Sequence, residues 1–492
     1  MQKLSKVQYV FCDLHDRACH NFALCELTDH EFLVSNASLW GVFLCYNLFM
    51  SEENRQTLEI YEKLFQSYFD GTNRRVRSIG EKAAAEKFDK ECQFWLDGFS
   101  ALPNAATILE IGSANGAGTK ALIEHGYTAT ASDTVQGFLD EIKKNGLTPI
   151  QFNVLTDKLN RKYHGCLAWH VFVHFTKEDA KTALSNIYNL LYPGGRLIFD
   201  VQNSSTKHNK DAEWIDYSGD YHMGAERFFQ YYSKDAIERI IKDTGFNIIK
   251  LIERRSNSGI NWLRLVIEKP TNVEPKIEKY IEDKTMPLYK KMAGHSDEHI
   301  RQVISRSLNF AEQINDGSIK VNDFTGCPER KINYNMVYVI AAFHDLGRSV
   351  DDATHEKVSA KILLEDPKLP KFFSPEQLNI MAEAIEDHRA SNSHDPRNVY
   401  GRIVSSADRN TNVDVMLKRC YEAIRDEYLS ETEDEVIEIT RKVLRKKYGG
   451  KSGYAAKKIY FEDLDFEAAL DKIELITRDP ADFRKLYDNS AA

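Results

Sequence analysis

Residues 107–116 read TILEIGSANG, an apolar run that passes directly into a glycine-containing turn. The run predicts a short buried strand, and the glycines permit positive φ values and a close approach of a ligand to the backbone. A helix is predicted from about Gly118 to His125, and a second strand over Tyr127–Ser132 ends at Asp133. A carboxylate about twenty residues beyond such a turn can accept hydrogen bonds from both ribose hydroxyls of a nucleoside. This stretch therefore predicts the nucleotide-binding half of an α/β sheet.

Alternating strands and helices continue beyond this stretch. Tyr163–Phe175 holds a predicted strand and its following loop, and the helix Lys177–Leu191 leads to the strand Arg196–Asp200. Two later apolar runs, Phe246–Arg254 and Asn261–Glu268, predict a β-hairpin. Alternation of this kind is typical of βαβ units. The sequence therefore predicts a doubly wound parallel sheet that closes with an antiparallel hairpin.

The segment from about residue 82 to residue 268 resembles the class I S-adenosylmethionine-dependent methyltransferases in the stretches ILEIGSANG, ASD, WHVFVHF and LLYPGGRLIF. The resemblance implies a Rossmann-like sheet and S-adenosyl-L-methionine as cofactor. It assigns Asp133 to the ribose, and Asn153 with Val154 to the adenine edge. The residues implied to line the methionine portion are Glu110, Gly112, Ser113 and Gly116. The sequence departs from the family at Ala114, where glycine is common, and at Asn153, where an acidic residue is usual.

The methyl acceptor leaves no motif, because methyl transfer requires chiefly the in-line positioning of a nucleophile. Four side chains near the predicted cleft could act as a base or contact the acceptor: His170, His174, Tyr221 and His222. A structural hydrogen bond is the more frequent role for any one of them. The sequence thus predicts the fold and leaves the acceptor open.

Beyond the polar stretch KPTNVEP at residues 269–275, which we interpret as a linker, the chain is predicted to be helical. His344 shares an apolar helix face with Val337 and Ile340, and His388 follows Ile385 in the same way. Burying imidazoles and carboxylates is costly unless they are paired or bind a metal. Helical bundles build metal sites by converging such groups. The pattern, with His299 and Asp408 on two further predicted helices, therefore predicts a metal site.

This helical region, from about residue 276 to residue 480, resembles the HD-domain metal-dependent phosphohydrolases. The stretches GHSDEHIRQV, AAFHDLGR, THEKVSAKIL, EDHRAS and SSADR occur in the order of that family. The implied ligands are His299, His344, Asp345 and Asp408 for a primary metal, with Asp345 able to bridge, and His355 and His388 for a second. One or two divalent transition-metal ions are expected, and imidazole and carboxylate ligands do not distinguish iron, manganese, zinc and nickel.

Within this metal site we assign catalytic roles to His344, Asp345 and Arg348, the last standing where lysine is frequent in the family. His355 either points inward as a ligand or begins a helix as an exposed side chain. Guanidinium groups match phosphate oxygens, so nearby arginines point to a phosphorylated substrate, although exposed helix faces also account for any one of them. The arginines expected to bind substrate phosphate are Arg389, Arg397, Arg402 and Arg409.

His-Asp dipeptides alone carry little information, because chance supplies about one in a chain of this composition. Three occur, at His15-Asp16, His344-Asp345 and His394-Asp395. Only His344-Asp345 has partners on other predicted helices. We expect His394-Asp395, in a loop rich in Ser and Asn, to cap a turn.

The 492 residues suggest roughly three folding units at about 150 residues each. We divide the chain into an N-terminal extension of unknown role (1–81), a methyltransferase domain (82–268), the linker (269–275) and an HD domain (276–492). In the extension a helix is predicted over Glu53–Phe69, with a break at Gly71–Asn73. We expect the extension to pack on the methyltransferase sheet. Its cysteines and histidines have spacings that fit no zinc knuckle: Cys12, His15, Cys19, His20 and Cys25.

Composition limits the function classes. The 65 basic and 74 acidic side chains give a net charge of −9, which argues against a dedicated nucleic-acid binder. No apolar run is long enough to span a membrane, and the first residues lack the pattern of a signal peptide. The eight cysteines form no CxxC pair and are expected to be reduced thiols of a cytoplasmic protein. The oligomeric state has no signal in the sequence.

Together these features predict an α/β domain followed by an all-α domain in one bifunctional enzyme. We expect a methyltransferase joined to a phosphohydrolase that acts on a small phosphorylated metabolite or nucleotide. Two alternatives stay open. The HD fold could carry a di-iron pair for oxygen-dependent cleavage. The methyltransferase fold, with its departures at Ala114 and Asn153, could be a sensor that binds S-adenosylmethionine and regulates the HD domain.

Overall fold

The structure is a computed structural model of the chain. It describes residues 50–103, 106–205, 210–216, 225–256, 259–289, 297–449, 453–454 and 458–488. The cysteines and histidines of the first 25 residues lie outside these ranges, as do Tyr221 and His222. The predictions made for them are therefore not addressed by the structure.

The described residues form one nine-stranded sheet with helices packed around it. Its first five strands are parallel and lie in the order β3-β2-β1-β4-β5. The strand order reverses between β1 and β4, which opens a crevice at the carboxyl ends of these strands. The strands are β1 (Thr107–Ile111), β2 (Thr128–Asp133), β3 (Ile150–Gln151), β4 (Tyr163–Ala168), β5 (Leu191–Asn203), β6 (Ala212–Asp216), β7 (Glu226–Tyr232), β8 (Asn247–Arg255) and β9 (Asn261–Glu268).

The far side of β5 carries two antiparallel pairs. β9 pairs antiparallel with β5 and with β8, which confirms the predicted closing hairpin. A second pair, β6 and β7, joins the end of β5 and was not predicted from the sequence. Its strand β7 is buried at almost every position, so it lacks the alternation of apolar and polar residues that marks a half-exposed strand.

A long N-terminal helix covers β7. This helix, α1, begins after Ser51, whose side chain accepts a hydrogen bond from the Asn54 amide. The Thr57 hydroxyl accepts one from the Phe228 amide of β7 at 3.0 Å. The predicted break at Gly71–Asn73 is wrong, because α1 continues to Ile79 and departs from helical geometry at Leu64 instead. A single glycine costs a helix only about 1 kcal/mol, which packing on the sheet can offset.

Within the described ranges, five further helices accompany the sheet, and the part after the sheet is built of helices and loops. The helices of the first part are α1 (Glu52–Ile79), α2 (Glu81–Phe99), α3 (Ala117–Glu124), α4 (Gln136–Lys144), α5 (Lys177–Leu190) and α6 (Lys234–Asp243). Those of the second part are α7 (Pro275–Tyr280), α8 (Met286–Tyr289), α9 (Asp297–Asn315), α10 (Tyr334–Phe343), α11 (His355–Leu364), α12 (Pro375–Glu386), α13 (Val399–Ala407), α14 (Val413–Glu427), α15 (Glu433–Tyr448), α16 (Leu464–Arg478) and α17 (Pro480–Asp488). Helices α7 to α13 share one apolar core, and α14 to α17 build a second, smaller one.

The predicted linker is an ordered junction rather than an exposed tether. Lys269 is 1% exposed, and its ammonium group donates to Glu312 on α9 at 2.7 Å and to the Leu191 carbonyl at 3.1 Å. Val273 is buried in the core of the helical part. Burial of a lysine is tolerated here because the charge has a carboxylate partner.

The helical part docks at the amino ends of the parallel strands. Thr107 and Thr128, the first residues of β1 and β2, share one cavity wall with residues of α9. The crevice at the carboxyl ends lies on the other side, beyond a β1 strand of five residues that spans about 16 Å. Among the residues described, no helix combines the length and apolar character needed to cross a membrane.

Candidate active sites

The turn after β1 places the predicted nucleotide-binding residues together at the crevice. Ser113 joins the two strands, since its hydroxyl donates to the Glu110 carbonyl at 3.1 Å and accepts from the Ser132 amide at 3.0 Å. Gly112 and Gly116 have φ values of 71° and 77°, in the region that favours glycine. A Cβ atom on Gly112 would lie 2.7 Å from Val171 Cγ2. Position 112 therefore requires glycine, because its φ is positive and because a Cβ atom would clash with Val171.

Ala114, the departure from the family pattern, adopts a φ of 49°. A left-handed alanine costs roughly 1–2 kcal/mol. Its amide donates to the Asp133 carboxylate at 3.0 Å, which helps to hold this conformation. The turn therefore contains a non-glycine residue in the left-handed region, held by its hydrogen bond to Asp133.

Two buried carboxylates line this end of the sheet. The Asp133 carboxylate accepts from the Ala114 and Val135 amides at 3.0 Å each, and burial raises its pKa to about 6. The Glu110 carboxylate accepts from the Thr119 hydroxyl at 2.5 Å, and burial raises its pKa to about 7. A carboxylate has about four lone-pair sites, so Asp133 keeps acceptor capacity for two hydroxyl groups. Its position at the end of β2 fits the predicted contact with a ribose.

Asn153 and Val154 follow β3 and are both buried. The Asn153 side chain accepts from the Leu155 amide at 2.9 Å, and the Val154 carbonyl accepts from the Asn186 side chain at 2.8 Å. Asn153 therefore shapes the loop after β3. Its contact with an adenine edge stays a prediction.

His170 lies at the carboxyl end of β4 in a constrained conformation with a φ of 60°. Its amide donates to Asp200 Oδ1 at 2.7 Å, and its Nδ1 lies 2.9 Å from Asp200 Oδ2. Burial alone would lower the pKa of His170, but the Asp200 carboxylate outweighs this effect and raises it. A fully buried carboxylate that orients a 44% exposed imidazole is an arrangement suited to a general base. Asp200 was not predicted as a site residue, although it ends the apolar run LIF at the same sheet edge.

His174 has a structural role. Its Nδ1 lies 2.8 Å from the Phe228 carbonyl oxygen, and its Nε2 lies 3.1 Å from the Tyr61 hydroxyl of α1. Burial lowers the pKa of His174 to about 3, so the ring is neutral at physiological pH. Because both ring nitrogens have partners, His174 serves to attach α1 to the sheet.

In the helical part, six side chains predicted as metal ligands converge from the ends of five helices. His299 lies in the first turn of α9, and His355 is the first residue of α11. The other four follow the last turns of α10, α12 and α13. The six residues are His299, His344, Asp345, His355, His388 and Asp408. Helix ends can present short side chains to a common point, which explains the spacing along the sequence.

The distances divide these residues between the two oxygens of Asp345. Asp345 Oδ2 lies 3.5 Å from His344 Nε2 and 3.8 Å from His299 Nε2. Asp408 Oδ1 joins that side, at 3.1 Å from His299 Nε2. Asp345 Oδ1 lies 3.2 Å from His355 Nε2 and 3.6 Å from His388 Nε2. This division matches a carboxylate that bridges two adjacent ions.

The imidazole orientations also fit metal ligation. The Nδ1 atoms of His344, His355 and His388 lie 2.7, 2.8 and 2.6 Å from the backbone carbonyl oxygens of Ala341, Asp352 and Ile385. Such hydrogen bonds fix the tautomer and direct the Nε2 lone pair toward the cluster. Among the described residues, the buried Nε2 atoms of His344 and His355 have no hydrogen-bond partner of suitable geometry, although both lie within 3.5 Å of the Asp345 carboxylate. A buried ring nitrogen without a hydrogen bond lowers the stability of the folded protein unless it donates its lone pair to a metal ion.

On the Asp345 Oδ2 side, electrostatic interactions favour a neutral His344 imidazole and an ionised Asp408 carboxylate, the forms that can bind a metal ion. Burial lowers the pKa of His344 to about 4, so its imidazole is neutral. Burial would raise the pKa of Asp408, but the hydrogen bond to His299 and the charge interactions with His299 and His344 together outweigh it and lower the pKa. On the Oδ1 side the balance differs. Burial disfavours the protonated form of His388, but the interactions with the Asp345 carboxylate favour it and raise the pKa of His388. Neutral imidazoles and ionised carboxylates are the forms that bind metal ions.

The structure resolves the orientation of His355, which points inward and is 1% exposed. Gly347 makes this possible, since a Cβ atom there would lie 2.3 Å from the His355 carbonyl oxygen. The Gly347 amide donates to the Ser359 hydroxyl at 2.8 Å and holds the start of α11 against the turn after Asp345. The exposed alternative is therefore excluded.

The arginines singled out from the sequence differ in their surroundings. Arg348, predicted to be catalytic, belongs to the cluster, because its Nε lies 2.9 Å from Asp345 Oδ1. The four predicted to bind substrate phosphate lie elsewhere in the helical part. Arg409 follows Asp408 and is 8% exposed. The other three pair with carboxylates outside the cluster: Arg389 with Glu356, Arg397 with Asp387 and Glu386, and Arg402 with Asp323. Their contact with a substrate phosphate stays a prediction.

Comparison with known proteins locates two domains. The family model described as a methyltransferase domain matches residues 81–251, and the model described as an HD domain matches residues 296–412. A search of curated proteins gave no significant match. The two family resemblances drawn from the sequence, and the predicted fold class, are thereby confirmed.

Solved methyltransferase structures are similar to part of the chain. One is 1,6-didemethyltoxoflavin-N1-methyltransferase from Burkholderia thailandensis, at 18% identity and a TM-score of 0.35, covering 45% of this chain and 92% of that one. Another is magnesium protoporphyrin IX methyltransferase from Synechocystis PCC 6803, at 16% identity and a TM-score of 0.31, covering 42% of this chain and 96% of that one.

Proposed function

Because residues 81–251 are a methyltransferase domain and residues 296–412 an HD domain, we propose that the chain is a bifunctional enzyme. One part transfers a methyl group from S-adenosyl-L-methionine, and the other hydrolyses a small phosphorylated metabolite or nucleotide with the help of one or two divalent metal ions. The observation that carries the proposal is the convergence of six metal-ligand side chains around the two oxygens of Asp345.

In the hydrolase part, His299, His344, Asp345 and Asp408 would hold the primary ion, and His355 and His388 the second. A metal ion bound there supplies Lewis acidity and a bound water of lowered pKa. Arg348, held at Asp345, contributes a guanidinium that can neutralise charge on a phosphoryl oxygen. The buried setting strengthens these electrostatic interactions, because little water screens them.

In the transferase part, Asp133 would hold the ribose, and the turn from Glu110 to Gly116 would hold the methionine portion. The bound cofactor supplies an electrophilic methyl group. His170, oriented by Asp200, is placed to accept a proton from the nucleophile of the acceptor. The crevice and the metal cluster lie at opposite ends of the parallel strands, so we assign the two reactions to separate sites.

The proposal is tested with the full chain and a panel of nucleotides and sugar phosphates, in the presence of manganese or iron. We expect phosphate release that a chelator removes. Oxygen uptake is recorded on the same samples. Oxygen consumption without phosphate release would contradict the hydrolase assignment.

The affinity for S-adenosylmethionine is expected to fall as the pH is lowered through about 6. Burial raises the pKa of Asp133 to about 6, and only the ionised form accepts both ribose hydroxyls. One pH unit below that pKa, about a tenth of the carboxylate is ionised, so the dissociation constant rises about tenfold. Glu110, whose pKa burial raises to about 7, titrates in the same range and adds to the slope. Calorimetry from about pH 8 to about pH 5 measures the effect, and a constant affinity would contradict it.

Replacing His355 with glutamine is expected to reduce the metal content from about two ions to about one ion per chain. His355 and His388 are the imidazoles nearest Asp345 Oδ1, and a second ion would lose one of its two imidazole ligands. The matched control is His394→Gln, at an exposed histidine of the third His-Asp dipeptide. Elemental analysis of both variants gives the counts. Unchanged metal content in His355→Gln would remove His355 from the ligand set.

A further inference from the structure

A cavity of about 530 Å³ lies between the sheet and the helical part, on the side of the sheet away from the methyltransferase crevice. The sheet contributes Thr107, Thr128 and the loop 160–162 to its wall. The helical part contributes His299, Arg306, the loop 409–412 and the start of α14. Small-molecule sites commonly have volumes of about 300–1,000 Å³.

The cavity reaches the metal cluster. His299, whose Nε2 lies 3.1 Å from Asp408 Oδ1, forms part of its wall. Arg409, also in the wall, is the residue after Asp408. A molecule in this cavity would therefore lie beside the Asp345 Oδ2 side of the cluster.

Its wall is predominantly cationic. The carboxylates are Asp414 and Asp465, and Lys472 lies 3.5 Å from Asp414. Arg306 is committed to Asp463 at 2.5 Å and to the Ala407 carbonyl at 3.2 Å. The cations in the wall are Arg161, Lys162, Arg306, Arg409 and Lys472.

Three of these cations have no ion-pair partner among the residues that the structure describes: Arg161, Lys162 and Arg409. The Lys162 ammonium group donates to the Asn189 carbonyl at 2.5 Å, and burial lowers its pKa to about 8. Arg409 donates from Nη2 to the Ser405 hydroxyl at 3.1 Å, but its buried Nε makes no hydrogen bond. Burying a guanidinium nitrogen without a hydrogen-bond partner destabilises the folded protein. The geometry therefore points to a bound anionic ligand as the partner.

A second cavity between the same two parts has the opposite character. Its volume is about 550 Å³, and Arg301 is the lining arginine. Its carboxylates are Glu268, Glu278, Glu282, Asp297 and Glu298. An anion would therefore be repelled from this cavity and attracted to the cationic one.

We propose that the cationic cavity binds the anionic end of the phosphorylated substrate, and that the methyltransferase domain supplies Arg161 and Lys162 to the hydrolase site. The inference rests on the proposed hydrolase function and extends it to a substrate class: a phosphoester with a second anionic group, such as a nucleotide with more than one phosphate. One phosphoryl group lies at the metal cluster, and the second group lies toward Arg409, Lys162 and Arg161. The hydrolase site then consists of residues from both domains, which gives the fusion a structural reason.

The test uses the manganese-loaded full chain with inorganic pyrophosphate and orthophosphate as probes in calorimetry. In Arg161→Ala/Lys162→Ala we expect pyrophosphate affinity to fall at least about tenfold, and orthophosphate affinity to change by less than about twofold. Metal content and S-adenosylmethionine affinity are expected to be unchanged. Because Arg161 is exposed, the single variants Arg161→Ala and Arg161→Glu retain the fold and keep the test valid if Lys162→Ala is unstable.

The matched control is Lys158→Ala/Lys181→Ala, which removes two exposed cations of the same domain outside the cavity. An equal loss of pyrophosphate affinity in the control would overturn the proposal, since it would reflect net charge alone. Unchanged affinity in the Arg161 variants, or no pyrophosphate binding by the wild type, would overturn it as well. A wild type that binds pyrophosphate through Arg161 and Lys162 but releases phosphate from no nucleotide or sugar phosphate of the panel would refute the hydrolase function and leave the binding site standing.

Discussion

Asp345→Asn is expected to lower metal-dependent phosphate release by at least about a thousandfold, which corresponds to about 4 kcal/mol of transition-state stabilisation. Asp345 contacts both halves of the cluster, at 3.2 Å from His355 Nε2 and 3.5 Å from His344 Nε2. Asparagine has nearly the same size but no charge, and its amide group would place N–H donors against ring nitrogens or ions. Phosphate release and metal content per chain are measured together.

The control for this variant is Asp395→Asn, in the exposed His394-Asp395 dipeptide, which should keep both properties. S-adenosylmethionine affinity serves as a check of folding, because the crevice lies at the opposite end of the strands. Retention of metal and activity in Asp345→Asn would show that the cluster is not the hydrolase centre.

Asp133→Ala is expected to weaken S-adenosylmethionine binding by about a hundredfold or more. Two hydrogen bonds from hydroxyl groups to a charged acceptor contribute about 1.5–3 kcal/mol each, and both are lost. The Ala114 and Val135 amides also lose their acceptor, which loosens the turn that Gly112 and Gly116 form. Calorimetry measures the dissociation constant.

Asp140→Asn on α4 is the matched control, since this exposed carboxylate lies seven residues away on the solvent side of the same unit. The metal content of Asp133→Ala should equal that of the wild type. An affinity within about threefold of wild type would mean that Asp133 does not hold the ribose.

The parallel strands and the inward direction of most candidate metal ligands could be predicted because their signals are local. The apolar runs of β1 and β4 are short and bounded by turns, and His344 falls on the helical repeat of Val337 and Ile340. Asp408 likewise follows the apolar face of α13 by one turn. Local periodicity is sufficient where one element determines the direction of a side chain.

Features that depend on distant contacts could not be predicted. The direction of His355 depends on Gly347 approaching α11, and β7 lacks alternation because α1 covers its other face. The cationic cavity joins Arg161 to Arg409, which are far apart in sequence and meet only when the two domains dock. The sequence pattern of neither segment predicts that they come together.

The most direct test of the account is the metal content of the full chain, purified without chelator and without oxygen. We expect about two transition-metal ions per chain, held by the six side chains around Asp345. A well-folded protein that binds S-adenosylmethionine but stays metal-free after incubation with manganese and iron would contradict the account. The cluster would then be a buried hydrogen-bonded network, and the methyltransferase domain would be the only catalytic part proposed here.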